Sequence, residues 1–383
     1  MSVTAAAGFS AAGVACGIKE AGGLDLAVVS ARSSVPAAGV FTNSTTAAAP
    51  VIVSREHLTS GTAQVIVLNS GCANAGTGES GLADAQATAR AAAAAYDCRP
   101  EEVLVCSTGT IGPSLPVRRL FSGLPTNLGI DGPAATAAAE AIMTTDSVSK
   151  QAVVRADGYS IGGMAKGAGM IRPDMATMLA VITTDAMIGS VDLQRALAAA
   201  VDESFNSLNV DGCQSTNDSV LILASGESDF EPDVEVFRQG LTHLCRDLAH
   251  QIAADAEGAS RVVTVRVVGA ADDEQARRIG KFVTDSALVR SSFYGGDPNW
   301  GRIFGALGVG PGAIKAGDIS ISFAGVPVAS AGAGVEHDEE GLLAVLEHGD
   351  FVVDVSVGEG TGAATILTTD LTPEYVLFNG GRS

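Results

Sequence analysis

The 383-residue chain carries 43 Asp and Glu against 23 Lys and Arg, a formal net charge of −20, which argues against a nucleic-acid partner because phosphate binding needs clustered cations. Hydrophobic residues make up 46% and aromatic residues only 4%, so the core must be built from Ala, Val, Leu and Ile, with 46 glycines permitting close backbone approach. No apolar run reaches the roughly 20 residues that cross a bilayer, and the first 18 residues hold no Lys or Arg to lead a signal peptide; a soluble, cytoplasmic protein of two or three domains is expected.

Strand-type and helix-type segments alternate, which predicts a layered α/β architecture. Val65 to Leu68 reads as a buried strand, and the alanine-rich stretch Gly81 to Tyr96 as a helix uninterrupted by proline. Val103 to Cys106 is a second strand running into Ser107-Thr108-Gly109, and Pro133 to Met143 a helix that opens at a proline. Ala152 to Arg155 and Tyr159 to Gly162 flank Asp157-Gly158, a hairpin signal, and lead to a glycine-rich stretch beginning at Lys166. Met178 to Thr183 is a buried strand, and Val191 to Phe205 starts as a helix with Ser190 as N-cap candidate.

Phe237, Leu241, Leu244, Leu248 and Ile252 form a stripe at helical spacing that ends close to Glu257. Val263, Val265 and Val267 then alternate with Thr264 and Arg266 as in a half-buried strand, followed by a helix from Asp273 to Thr284. From Asp318 onward alternating strands (Ile319 to Phe323, Phe351 to Val357, Thr365 to Leu371) read as a smaller C-terminal α/β lobe, with its boundary at about 270.

Six cysteines (Cys16, Cys72, Cys98, Cys106, Cys213, Cys245) show no Cys-x-x-Cys spacing and the five histidines no zinc-ligand pattern, so no metal is expected. Cys72, Cys106 and Cys213 lie in small-residue motifs and read as reduced apolar fillers, the usage of a reducing compartment. Gly280-Lys281-Phe282 is not a phosphate-binding loop, and no dinucleotide fingerprint follows a strand, so no cofactor is expected either. Lys166 and Arg302 are the candidates for holding an anionic substrate locally.

The most telling stretch is Lys166-Gly-Ala-Gly-Met-Ile-Arg-Pro-Asp-Met-Ala-Thr-Met-Leu179, which brings a glycine-rich loop and a lysine onto Thr177. A threonine hydroxyl is a poor nucleophile without an adjacent base, and its own α-amine, freed by a cut after Ala176, is one known solution. The plain alternative is an ordinary loop ahead of a buried strand. Acyl transfer also needs donors for an oxyanion, and the turn Thr108-Gly109 at the end of a strand suits that role. Gly158-Tyr-Ser-Ile-Gly162 matches the nucleophile elbow of serine hydrolases, with His243 or His337 as partner, but Ser160 follows a hairpin turn and precedes Gly162-Gly163 where the elbow requires a helix.

The chain resembles the ornithine acetyltransferase (glutamate N-acetyltransferase, ArgJ) family from end to end. The resemblance runs in family order through Ala37 to Thr42, Asn69-Ser-Gly-Cys-Ala-Asn74, Cys106-Ser-Thr-Gly-Thr-Ile-Gly112, Ile142-Met-Thr-Thr-Asp146, Lys166 to Leu179, Asp211 to Asp218, Asp255-Ala-Glu-Gly258 and Gly296 to Arg302. It implies a layered DmpA/ArgJ-like α/β fold with an N-terminal threonine nucleophile, made by self-cleavage between Ala176 and Thr177 into chains 1-176 and 177-383 that stay together as two α and two β chains. It further implies Thr108 and Gly109 as oxyanion hole and Thr144, Lys166, Thr177, Glu257, Asn379 and Ser383 as substrate-binding residues. The implied reaction carries acetyl from N-acetylornithine to glutamate through acetyl-threonine, without cofactor; whether acetyl-CoA is also a donor is left open by the residues. Relatives of the fold that act as aminopeptidases or amidohydrolases keep a second reading in play. Two departures stand out: Ala256 replaces the usual glycine before Glu257, and the tail Asn379-Gly-Gly-Arg-Ser383 is shorter than the family's.

Overall fold

The computed structural model describes residues 2–172, 178–310, 314–347 and 349–381. Two compact units emerge, Met1–Asn206 with Cys213–Ile252, and Ser207–Gly212 with Ala253–Ser383. The second unit therefore begins at Ala253, ahead of the expected boundary near 270, because a strand over Val262–Ala270 lies inside its sheet and cannot be separated from it.

The first unit is organised on strands β1 (Phe9–Val14), β2 (Leu26–Phe41), β3 (Thr62–Asn69), β4 (Val103–Ser107), β5 (Lys150–Ala156), β6 (Tyr159–Lys166) and β7 (Leu179–Thr184). After β8 (Leu208–Asn209), which belongs to the second unit, β9 (Ser219–Ala224) returns to the first. Their order is β4-β3-β2-β9-β7-β6-β5, with β1 added beside β2. β7 and β9 pair in parallel at the centre and every residue of both is buried, which is why they read as unbroken apolar runs. The two threonines in β7 are satisfied there, the Thr183 hydroxyl donating to the Val3 carbonyl at 2.8 Å and that of Thr184 to the Ser160 carbonyl at 2.9 Å.

The helix Val234–Ala254 buries its whole stripe, Phe237, Leu241, Leu244, Leu248 and Ile252 being 0% exposed, at roughly 1.5–3 kcal/mol for each such side chain. It lies against β6, where side-chain-free Gly163 faces Leu244 and Leu248. The alanine-rich helix spans Gly78–Tyr96, and Ala85, Ala89, Ala92 and Ala93 form its buried stripe. It stops at Asp97, which takes φ 52° and donates its N–H to the Ala93 carbonyl. The helix expected from Pro133 runs Gly132–Ala141, with the Asp131 carboxylate accepting from the Ala134 N–H. Ser190 is not the N-cap of its helix; Gly189 holds that position without a side-chain bond, and Ser190 is the first residue of Ser190–Asp202. Cys72 and Cys106 are buried as expected, but Cys213 is exposed and fills no core.

The second unit adds β10 (Val262–Ala270), β11 (Ser320–Phe323), β12 (Val326–Ser330), β13 (Ala333–Gly334), β14 (Phe351–Ser356) and β15 (Gly362–Thr369), ordered β13-β12-β11-β14-β10-β15-β8. In β10 Val263, Val265 and Val267 point inward while Arg266 is exposed, as the alternation predicts. Among the described residues no helix is long and apolar enough to cross a membrane.

Candidate functional site

In the first unit Thr144 and Lys166 converge on one carboxylate that neither composition nor spacing singles out. The Thr144 N–H donates to Asp146 Oδ2 at 2.9 Å, and the Gly167 N–H to Asp146 Oδ1 at 2.7 Å. Lys150 Nζ donates to the same Oδ1 at 2.6 Å, and Lys166 Nζ lies 3.8 Å from Oδ2. Both lysines are essentially solvent-free, Lys150 at 0% and Lys166 at 2% exposure. Burial alone would raise the pKa of Asp146, but the charges of Lys166 and Lys150 and the hydrogen bonds from Lys150 and Thr144 outweigh it and hold the carboxyl down at about 2. Asp146 thus fastens the start of β5, the end of β6 and the Thr144 turn to a single point.

Thr108 follows β4 directly and is buried, while Gly109 is exposed. The Thr108 N–H is already committed to the Asn69 carbonyl at 2.9 Å. An oxyanion donor from Thr108 must therefore be its hydroxyl, and the backbone donor must come from Gly109. Gly109 has φ 125°, and a Cβ there would sit 2.4 Å from the Gly71 carbonyl carbon and 2.6 Å from the Cys72 nitrogen, so only glycine fits. Gly71 in turn packs on Lys19, whose charge interacts with Asp146 and Lys166. Half-buried Lys19, whose Nζ donates to the Leu24 carbonyl at 2.7 Å, is a neighbouring cation that sequence reasoning missed; it lies in no motif, and its N–H is tied to Asp25 at 3.0 Å only through folding.

The segment Asn217-Asp218, at the entry to β9, joins this loop to the chain beyond Thr177. Asn217 Nδ2 donates to the carbonyls of Ala73 (2.7 Å) and Ser107 (2.9 Å), and the Met178 N–H donates to Asp218 Oδ1 at 3.0 Å. The Asp211 to Asp218 motif carried a signal for these two residues, but not their role. Ala176 and Thr177, with the Pro173 to Met175 stretch before them, lie outside the described residues, as does Ser383.

In the second unit half-buried Glu257 lies in the turn that ends at Gly258. The Gly258 carbonyl accepts from the Thr372 hydroxyl at 2.5 Å, at the start of the helix Pro373–Asn379. Burial, and then the charges of Asp211 and Glu257, push the Tyr375 hydroxyl up to about 12. Asn379 closes the same helix and is exposed, its Nδ2 donating to the Tyr375 carbonyl at 3.2 Å. Glu257 and Asn379 are thus organised around one short helix. Ala256 buries its methyl at 6% exposure, so the substitution ahead of Glu257 is accommodated in the packing. Arg302 donates to the Leu288 carbonyl at 2.9 Å.

Ser160 sits inside β6, a strand that continues to Lys166 with no helix at its end, and His243 is exposed on its helix, so the elbow geometry is missing. Gly162 is explained by packing instead, since a Cβ there would overlap the Ser2 carbonyl oxygen at 1.9 Å. The surface hollow lined by Thr42, Arg55 and Gln194 contains none of the expected site residues. Among the described residues no group of three or more His, Cys, Asp and Glu is arranged to hold a metal.

The family model described as "ArgJ family" matches residues 10–382. The arginine biosynthesis bifunctional protein ArgJ of Streptomyces coelicolor is 45% identical over 385 residues, covering 100% of both chains. The protein of that name from Mycobacterium tuberculosis is 44% identical, covering 100% of this chain and 96% of its own. Among solved structures, that of arginine biosynthesis bifunctional protein ArgJ from Bacillus halodurans superposes with a TM-score of 0.50 at 37% identity. That match takes in 52% of this chain and 97% of the solved one.

Proposed function

This chain belongs to the ArgJ family, and on that premise we propose that it is a self-cleaving glutamate N-acetyltransferase, moving acetyl from N-acetylornithine to glutamate through an acetyl-Thr177 intermediate. The observation that carries the reading is the Asn217-Asp218 tie, which fastens the Ser107-Thr108-Gly109 turn and the residue after Thr177 to two consecutive side chains. A nucleophile and its oxyanion donors need such a common reference. The Bacillus halodurans comparison supports the cut as well: a solved chain matched over 97% of its length by only 52% of this one is what a cleaved product would give, whereas the curated relatives match end to end.

Cleavage after Ala176 frees the α-amine of Thr177, which takes the proton of its own hydroxyl as the oxygen attacks the acetyl carbonyl. The Thr108 hydroxyl and Gly109 N–H hold the negative oxygen of the tetrahedral intermediate. The intermediate collapses by expelling ornithine, whose amine receives the proton, and glutamate then takes the acetyl group by the reverse path. Lys166 and Thr144 receive the α-carboxylate shared by donor and acceptor, with Glu257, Asn379 and Ser383 completing the binding residues. The two chains assemble as two α and two β, which native mass checks.

The test combines intact mass with kinetics. Two fragments, one ending at Ala176 and the other beginning at Thr177, one acetyl group trapped on the second by N-acetylornithine, and parallel double-reciprocal lines support the mechanism. An active uncut chain, or intersecting lines, would reject it. Acetyl-CoA offered in place of N-acetylornithine in the same assay decides whether it serves as a second donor, and release of free acetate without glutamate would favour an amidohydrolase.

A further inference from the structure

Asp218 is 0% exposed. Its Oδ1 accepts the Met178 N–H at 3.0 Å, the amide of the peptide group linking residues 177 and 178, while Oδ2 has no hydrogen-bond partner among the described residues. The neighbouring backbone is equally fixed. The Thr42 N–H donates to the Asp218 carbonyl at 3.0 Å, the Ser219 N–H to the Met178 carbonyl at 3.3 Å, and Asn217 holds Ser107 and Ala73. A buried carboxyl with one oxygen unspent is expensive to keep unless it is used. The mechanism given above uses Oδ1 as an anchor and assigns no role to the proton this carboxyl can hold.

We propose that Asp218 is a positioning residue for acetyl transfer, anchoring the peptide that follows residue 177 and holding its own proton so that the α-amine one residue away stays free to act as base. The inference rests on the acetyl-transfer reading. Burial is the largest influence on Asp218 and outweighs the Met178 N–H, the charge of Lys166 and the Ser215 hydroxyl, all of which favour ionisation, pushing the carboxyl up to about 8. Lys166, at the end of β6, is the charged group set against it, and it works in the opposite direction. In a water-poor site the neutral amine with a neutral acid is favoured over an ammonium with a carboxylate. When Asp218 releases its proton at higher pH, the new negative charge holds the ammonium form of the amine and opposes the oxyanion, and transfer slows.

The test measures kcat/KM for N-acetylornithine and glutamate from pH 6 to about 10 with the cleaved wild type and with Asp218→Asn, which cannot titrate. Intact mass first establishes that each carries the free Thr177 terminus. Wild-type activity should fall on the alkaline side with a midpoint near 8, and Asp218→Asn, at whatever level of activity it retains, should lose that fall. A structural role alone would lower activity evenly and leave the midpoint where it was, which would overturn the proposal. So would a wild-type profile that stays flat to about pH 9.5, a result needing no variant; Asp218→Ser, also unable to titrate, stands in if the Asn variant does not fold. A wild type inactive at every pH would overturn the acetyl-transfer reading itself, and is thereby distinguished from failure of this inference alone.

Discussion

Replacing Asp146 by Asn removes the one carboxylate that serves Thr144, Gly167, Lys150 and Lys166 while keeping its shape. Its carboxyl is lowered from 3.8 to about 2, close to two pH units, which at 1.36 kcal/mol per unit contributes about 2 kcal/mol of stability at neutral pH. Deleting one partner of a buried ion pair costs more, about 3–5 kcal/mol, because the other charge stays buried. The remaining contacts of Lys150 and Lys166 moderate that figure, so a loss of about 2–4 kcal/mol is expected in urea unfolding of the uncut Thr177→Ala background. The sign of the pH dependence follows from a depressed native value: the contribution is complete above about pH 4 and disappears as pH falls through 2, where variant and parent should converge. In the cleaved enzyme, KM should rise at least about tenfold for both N-acetylornithine and glutamate, since Lys166 and Thr144 lose their common anchor. Unchanged unfolding at pH 7 together with unchanged KM would refute the reasoning.

Gly109→Ala forces a Cβ into the backbone of Gly71 and Cys72 at φ 125°; kcat should drop on the order of 100-fold through a displaced donor, and a kcat within twofold of wild type would remove Gly109 from the oxyanion hole. Ser160→Ala, at a strand position without an elbow, should leave self-cleavage and transfer within about twofold, and a loss beyond tenfold would revive a serine nucleophile. Glu257→Gln should raise KM for glutamate by about tenfold while leaving cleavage intact by mass, and a selective loss of cleavage instead would move Glu257 out of substrate binding.

Elements whose pattern is local were legible in the sequence: the alanine-rich helix, the stripe from Phe237 to Ile252, the Asp157-Gly158 hairpin and the alternating valines of β10. The sixteen-residue β2 was not, because its register shifts between Ser30 and Val35, breaking the alternation that marks a strand. The site divides the same way. Thr144 and Lys166 were readable through motifs, whereas Asp146 as their shared anchor, Lys19 beneath Gly71 and the reach of Asn217 to Ser107 depend on contacts between residues far apart in the chain. The commitment of the Thr108 N–H to Asn69 was equally invisible, since it arises only when β3 and β4 pair.

The strand order β4-β3-β2-β9-β7-β6-β5 has a consequence for a protein severed after Ala176. Residues before the cut supply β2, β3 and β4 on one side and β5 and β6 on the other, while those after it supply β9 and β7 between them. Each fragment is thus laced through the other, with β7 paired to β6 and β9 to β2 along six and five residue pairs. The precursor closes this arrangement within one molecule, at a rate independent of its concentration. Once cut, the same sheet can be rebuilt only by two molecules meeting, so recovery after denaturation becomes second order and fails on dilution. Maturation would convert a reversible folding equilibrium into persistence governed by the rate at which the laced sheet comes undone.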